Sequence, residues 1–268
     1  MSFPHRTGPG NAVLRPRTAD AGPGIRPVEG PDPRAPRATP LTRRYEASWL
    51  APDGEVRSSA RIAPATPLFE AAFAALARGA VVQTDEGPVA VEDLVPGMRA
   101  QTVEGGAETI TWIGAMTLYP ARMGPDPRAA AALVRVTAEA FGLGRPAQDV
   151  VLGPYARLCL QGARLQARTR IPSAYIPARA FLDGLGVIEL SPASPVTVYH
   201  VALARQASLR VMGLEVESFH PGEALAETID PRMLALYEAL FPHLDRLSDF
   251  GPMAHPRLTR SEIEAFFG

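Results

Sequence analysis

A long central stretch of the chain, residues 80 to 222, is a succession of short apolar runs separated by glycine and proline. Several runs alternate apolar with polar residues, as half-buried strands do, and all are short for helices. Because no long helical pattern intervenes, the stretch predicts a closed or folded-over β module and not a parallel α/β sheet. The runs are AVVQT, VAVEDL, ETITWIGAMTL, ALVRVTA, DVVLG, ARLCLQG, PVTVYHVAL and SLRVMGLEVE.

The segment before this module, residues 43 to 76, predicts a hairpin followed by a short helix. Two strand-like halves flank Pro52-Asp53-Gly54, a sequence typical of a hairpin turn. The stretch TPLFEAAFAALARG then has an N-cap, a proline at the first helical position, an apolar stripe and a terminating glycine. These are Thr66, Pro67, the stripe of Phe69, Phe73 and Leu76, and Gly79.

The last segment, residues 223 to 268, changes to a helical period. Asp230-Pro231 is expected to start one helix, which carries Leu234, Tyr237, Leu240 and Phe241 on one side. Thr259 with Glu262 is a capping-box signature for a second helix. We expect both helices to pack back on the β body as a small cap.

Residues 1 to 42 are predicted to be a disordered tail. The first 40 residues contain nine prolines, five glycines and six arginines and show almost no apolar periodicity. Such a stretch buries too little surface to offset its ordering entropy. The arginines could contact an acidic partner, but the pattern favours a solvated tail.

Composition excludes several kinds of chemistry. The chain has no lysine, which excludes Schiff-base catalysis and a phosphate-binding Walker lysine. Its one cysteine, Cys159, cannot form an intramolecular disulfide or a thiolate cluster. The formal net charge of -1 provides no field that would recruit nucleic acid or anionic lipid. We therefore expect no cofactor and no nucleic-acid partner.

The sequence also indicates a cytoplasmic protein without a membrane anchor. Residues 1 to 20 lack the apolar core of a signal peptide. No run approaches the roughly 18 apolar residues that a membrane helix needs. A leaderless export route would leave no mark in the sequence.

Several segments of the β module are similar to those of the bacterial hedgehog/intein, or Hint, domain family, and the similarity extends over residues 77 to 222. The glycine-initiated first strand, the V-E-D-L run with its following Pro-Gly, and the two closing segments resemble the corresponding family segments. The matching stretches are GAVVQT at 79 to 84, VEDL at 91 to 94, TITWIG at 109 to 114, DVVLGP at 149 to 154, VYH at 198 to 200 and ESFHPG at 217 to 222.

The resemblance implies a pseudo-symmetric Hint-type β fold and a self-processing chemistry. A thiol or hydroxyl attacks the preceding peptide carbonyl and forms a thioester or ester. A Thr/Ser-x-x-His pair binds the strained amide and protonates its nitrogen. Inteins finish by asparagine cyclisation, and hedgehog-type modules pass the acyl group to an outside nucleophile.

At the catalytic positions the sequence departs from the family. The nucleophilic cysteine falls on Ala75, and the Ser-x-x-His pair falls on Gly153 and Ala156. Downstream, His200 is retained, but Gln206 stands where the family has a second histidine. The resemblance therefore implies vacated catalytic positions with His200 as a possible remnant. Restoring Ala75→Cys together with Gly153→Thr and Ala156→His is expected to recover slow cleavage.

The other candidate residues have ordinary structural interpretations. Cys159 lies on an alternating strand and is expected to be a buried thiol. Thr84 and Thr66 offer hydroxyls but suit a strand and a cap. Glu92 and Asp93 are neighbours that would point to opposite faces of a strand, so they make a poor acid/base pair. The histidines show no metal-binding spacing, and we expect no metal site.

The resemblance, together with the substituted catalytic positions, leaves two alternative functions. The favoured one is a degenerate, non-catalytic Hint-like domain, which acts as a structural or binding module for an unidentified protein partner. The alternative is an autoprocessing protein that uses an unorthodox hydroxyl for its acyl shift. The absence of a nucleophile at Ala75 and of a proton donor at Ala156 favours the non-catalytic function. The sequence therefore favours a non-enzyme over an enzyme.

Overall fold

The computed structural model describes residues 41 to 120 and 132 to 268. The predicted tail over residues 1 to 42 therefore lies almost entirely outside the described residues, which begin just before the first strand at Thr42. Everything below concerns the described ranges.

The described residues form fifteen strands and five α-helices, which confirms the mainly β fold predicted from the sequence. The strands are β1 (Thr42–Leu50), β2 (Val56–Pro64), β3 (Leu76–Ala77), β4 (Val81–Thr84), β5 (Gly87–Ala90), β6 (Arg99–Gln101), β7 (Ala107–Leu118), β8 (Leu133–Val136), β9 (Val150–Leu152), β10 (Arg157–Gln161), β11 (Ser173–Pro177), β12 (Val187–Leu190), β13 (Val196–Leu203), β14 (Ser208–Val211) and β15 (Leu214–Glu217). The helices are α1 (Pro67–Ala71), α2 (Ala163–Thr169), α3 (Leu225–Thr228), α4 (Pro231–Glu238) and α5 (Arg260–Phe267).

All fifteen strands belong to one hydrogen-bonded sheet, and twelve of them form a continuous path. Its order is β11-β10-β15-β14-β4-β6-β7-β13-β3-β9-β8-β12, with β1 and β2 attached through β7 and β5 attached to β4. The 12-residue strand β7 joins the two halves of this path. It pairs with β6 near its start and with β13 and β1 further along.

The hairpin predicted around Pro52-Asp53-Gly54 is present as β1 and β2. The two strands pair antiparallel along their whole length, and β1 then pairs with β7 from Tyr45↔Met116 to Trp49↔Trp112. The hairpin is therefore part of the main sheet and not a separate appendage.

The helix predicted from Thr66 to Gly79 is wrong in length. Helix α1 ends at Ala71, and the Thr66 side chain makes no cap hydrogen bond. Residues 72 to 77 are all buried, so this stretch has no solvent-facing side. Leu76 and Ala77 instead pair with β13, and Leu76 also pairs with β9. Sheet pairing on both sides overrides the helical spacing of the apolar residues.

Other local predictions also need correction. VAVEDL was expected to be one strand, but the strand ends at Ala90 and Val91–Asp93 is a 3-10 turn. Glu92 accepts a hydrogen bond from the backbone N–H of Gly79 at 2.8 Å and so fastens this turn to the start of β4. Helix α2 and strands β11 and β12 lie outside the predicted runs.

The C-terminal helices pack on the β body, as the sequence predicted. The Asp230 side chain caps α4 by accepting from the backbone N–H groups of Arg232 and Met233, and the capping box of Thr259 with Glu262 is formed at α5. A buried group that we call the aromatic cluster joins α4 and the segment after it to the N-terminal hairpin and helix. Its members are Tyr45, Phe69, Phe73, Trp112, Phe219, Tyr237, Phe241 and Phe250.

Candidate functional site

The peptide between Ala74 and Ala75 is enclosed by two backbone segments. The Ala75 N–H donates to the carbonyl of Tyr199 at 2.9 Å, and the Ala75 carbonyl accepts from Gly153 at 2.8 Å. The Ala74 carbonyl accepts from the N–H of Tyr155 at 3.0 Å. Both alanines are 1% exposed or less. Backbone hydrogen bonds therefore hold residues 74 and 75 between β13 and the segment that follows β9.

Gly153 lies directly against this peptide. A Cβ atom on Gly153 would be 2.2 Å from the Ala74 carbonyl oxygen and 2.5 Å from the Ala74 carbonyl carbon. Real Cβ atoms are essentially never found so close to another atom. The family resemblance predicts a side chain with a hydroxyl at position 153. Instead, the two backbones meet directly there. A threonine there would displace the Ala74 carbonyl, so the restoring substitution expected from the sequence would distort the site.

The structure brings Ala156 to the same place. Its N–H donates to the Gly153 carbonyl at 3.2 Å, and its side chain is 1% exposed. Ala75 and Ala156 belong to the same apolar cluster. Of the positions that the sequence singled out, Ala75 is therefore part of the buried peptide, Gly153 lies against it, and Ala156 is hydrogen-bonded to Gly153.

His200 lies on β13, and its ring is hydrogen-bonded to the carbonyl of Ala71. Its Nδ1 is 2.9 Å from the Ala71 carbonyl oxygen, which can only accept, so Nδ1 carries the proton. Burial lowers the His200 pKa to about 3, and the positive charges of Arg157 and Arg257 act in the same direction. The ring also packs edge-on against Phe219 at 5.1 Å. His200 is neutral, and its Nδ1 hydrogen bond fixes the end of α1 and does not reach the Ala74–Ala75 peptide.

The Gln206 side chain links the C-terminal segment to the β body through hydrogen bonds. Its Oε1 accepts from the N–H of Ala254 at 2.6 Å, and its Nε2 donates to the Ser218 carbonyl at 3.4 Å. The amide thus connects the β body to residues beyond it. Sequence reasoning marked Gln206 as a lost histidine but did not find this contact.

A buried charged group close to His200 was missed by the sequence analysis. The Glu217 side chain, 2% exposed, accepts from Arg257 at 2.8 Å and from Arg157 at 3.4 Å. Arg257 also donates to the His220 carbonyl at 2.6 Å. Burial lowers the Arg157 pKa, and the nearby charge of Arg257 contributes to the shift. Because Arg257 lies 40 residues after Glu217 in the sequence, sequence spacing alone gave no signal for this triad.

A second hydrogen-bonded chain contains a serine, a histidine and a glutamate. Ser173 Oγ is 2.9 Å from His255 Nδ1, and His255 Nε2 is 2.9 Å from Glu104 Oε1. The chain continues, because Ser208 donates both its N–H and its hydroxyl to Glu104 and contacts the Tyr175 hydroxyl. We interpret this hydrogen-bond network as a structural link between the β body and the segment around His255.

The remaining candidates have structural roles. Cys159 is buried, and burial raises the pKa of its thiol. The Thr84 hydroxyl donates to the Gly87 carbonyl at 2.7 Å within the turn between β4 and β5. In residues 41 to 120 and 132 to 268, no group of three or more His, Cys, Asp or Glu side chains is placed to hold a metal ion. No helix in these ranges is long and apolar enough to cross a membrane.

Comparison with known families agrees with the geometry. The family model of the Hint domain matches residues 74 to 223, which is more than half of the chain and includes Ala75, Gly153, Ala156 and Gln206. The chain therefore belongs to the Hint domain family. None of the curated proteins with which the chain was compared matches it.

Proposed function

We propose that this chain is a Hint domain without self-processing activity, which serves as a structural or binding module. The observation that carries the proposal is the state of the residues upstream of Ala75. In a processing domain this side of the peptide is the departing product. In this chain the segment upstream of Ala75 is an integral part of the fold. It contributes β1 to the main sheet, and Tyr45, Phe69 and Phe73 to the aromatic cluster.

The chemistry of the enclosed peptide supports the same conclusion. The side chain of Ala75 is a methyl group, which cannot attack a carbonyl. The Ala156 methyl has no proton to give to a leaving nitrogen, and Gly153 has no side chain at all. His200 donates its proton to Ala71 and has a low pKa, so it is a poor general acid at neutral pH.

Intact mass tests the proposal. Purified full-length protein is incubated with dithiothreitol or hydroxylamine and compared with an untreated sample. We expect no fragment ending at Ala74, because no ester or thioester forms. The autoprocessing alternative predicts the opposite outcome with hydroxylamine, namely a fragment that ends in a hydroxamate at Ala74 and a second fragment that begins at Ala75.

The binding side of the proposal concerns a protein partner in the cytoplasm. The formal net charge of -1 gives little attraction for nucleic acid, which supports a protein ligand. A pull-down from the native organism, with and without nuclease, would identify the partner. Capture that disappears on nuclease treatment would contradict this part of the proposal.

A further inference from the structure

A cavity lies where two neighbouring strands separate. Strands β10 and β15 share only the pair Leu158↔Val216, so the chain beyond Leu158 diverges from β15. The resulting opening has a volume of about 460 Å³, with Cys159 and Gln161 on one side and Glu215 on the other. A volume of this size is within the range of small-molecule sites. None of the vacated catalytic positions lines it.

Four of the eleven residues that line this cavity are phenylalanines. Phe141 and Phe181 pack edge-to-face at 5.3 Å, and Phe181 packs in the same way on Phe267 at 5.2 Å. Phe266 and Leu165 complete the apolar lining. Phe267 is still 43% exposed, so part of this surface faces solvent. Exposed aromatic surface around a concavity is a recognised mark of a ligand site.

The charges at the cavity have a positive excess. Two arginines and one glutamate line it, and Arg145 lies 3.8 Å from Glu215. Arg164 extends from α2 over the ring of Phe266, with its guanidinium carbon 5.2 Å from the ring centre. Among the described residues Arg164 has no carboxylate partner within salt-bridge distance. Its guanidinium is therefore available to an anionic group held above the aromatic walls.

We infer that this cavity binds a small hydrophobic carboxylate, with an acyl chain against the phenylalanines and its carboxylate on Arg164. The acyl chain removes apolar wall surface from water, which supplies most of the binding free energy. The guanidinium gives preference for an anionic head, since it can bind a carboxylate with two parallel hydrogen bonds. This inference is independent of whether the chain processes itself.

Titration calorimetry with decanoate, below its micellar concentration, tests the inference on the full-length protein. We expect saturable binding of decanoate and weaker binding of decanol, which has the same chain without the charge. Arg164→Gln should weaken decanoate binding about fivefold, the size of one partly exposed ion pair, and leave decanol binding unchanged. Arg168→Gln is the matched control, because Arg168 is on the same helix but does not line the cavity.

Two further measurements locate the ligand. Cys159 is the only cysteine in the chain, so its alkylation by N-ethylmaleimide can be followed by intact mass without background. Saturating decanoate should slow this reaction. Gln161→Trp fills the cavity from an exposed position and should abolish decanoate binding. Absence of saturable binding, decanol binding as tightly as decanoate, or full binding by Gln161→Trp would each overturn the inference.

Discussion

At the scale of single residues, Gly153 makes the tightest contact with the Ala74–Ala75 peptide. Its lack of a Cβ lets the segment after β9 approach the Ala74 carbonyl and donate a hydrogen bond to Ala75. The family resemblance singled out position 153 as part of the catalytic site, an assignment that stays a prediction. It could not show that glycine here is a packing requirement, because that depends on a backbone approach between residues almost 80 positions apart.

Substitution of Gly153 tests this packing. Gly153→Ala should lower the free energy of unfolding by about 1–3 kcal/mol, because the added Cβ would overlap the Ala74 carbonyl and force the backbone apart. Gly153→Thr should cost more. Urea denaturation measures both. Gly186→Ala is a control with a milder contact, since its Cβ would lie 3.1 Å from the Ala140 Cβ. Equal small losses at both glycines would contradict the argument.

His200 gives the protein a dependence on pH. In the unfolded chain its pKa is near 6.5, and in the folded chain burial lowers the pKa to about 3. Between these values the unfolded state binds the proton preferentially. The free energy of unfolding is therefore greatest above about pH 6.5 and falls as the pH drops toward 3, by at most about 1.4 kcal/mol per pH unit for this group.

The variant His200→Gln separates this contribution from that of other groups. Burial also lowers the pKa of His243, to about 4, so the wild-type slope has more than one source. Urea denaturation from pH 8 to pH 5 should show a shallower loss in His200→Gln, whatever its stability at pH 8. An unchanged slope would mean that the pKa of His200 is the same in the folded and unfolded states, which contradicts the lowered value.

At the scale of elements, caps and turns were predictable where their signals are local. The hairpin turn, the Asp230 cap and the box of Thr259 with Glu262 all depend on residues within a few positions of one another. Helix α1 was predicted too long because its apolar spacing suits a helix, whereas residues 72 to 77 are buried on every side and pair with distant strands. The pairing partners that decide between helix and strand are not adjacent in sequence.

The two helix starts at Thr66 and Asp230 allow a direct comparison of caps. Asp230→Ala should cost about 0.5–2 kcal/mol, because it removes the acceptor for two backbone N–H groups at the start of α4. Thr66→Ala should cost clearly less, since the Thr66 side chain makes no cap hydrogen bond. Thermal or urea unfolding measures both. A larger loss at Thr66 would contradict the assigned cap geometry.

At the scale of the whole molecule, the chain on either side of Ala75 forms one folding unit. Burial of Tyr45, Phe69 and Phe73 contributes roughly 1.5–3 kcal/mol for each side chain, and β1 adds its pairing with β7. The mainly β class followed from the sequence. The joining of the upstream segment to the sheet did not, because it depends on strand pairing over about 65 residues.

Expression of residues 1 to 74 and 75 to 268 as separate chains tests this unity. We expect the two fragments to associate and to elute together in size-exclusion chromatography. Tyr45→Ala with Phe73→Ala in the short fragment should prevent association, whereas Ile62→Ala should not, because Ile62 is 74% exposed. Independent elution of the unmodified fragments would contradict the single folding unit.

The surroundings of Trp112 give the protein an optical reporter. Its indole N–H donates to the Leu240 carbonyl at 3.0 Å, and its ring lies between Phe73 and Phe241. A water-free indole emits at shorter wavelength than a hydrated one. The other tryptophan, Trp49, is only partly buried. The short-wavelength part of the fluorescence therefore comes from Trp112, and a red shift of that emission signals the moment when the chain after α4 leaves the sheet.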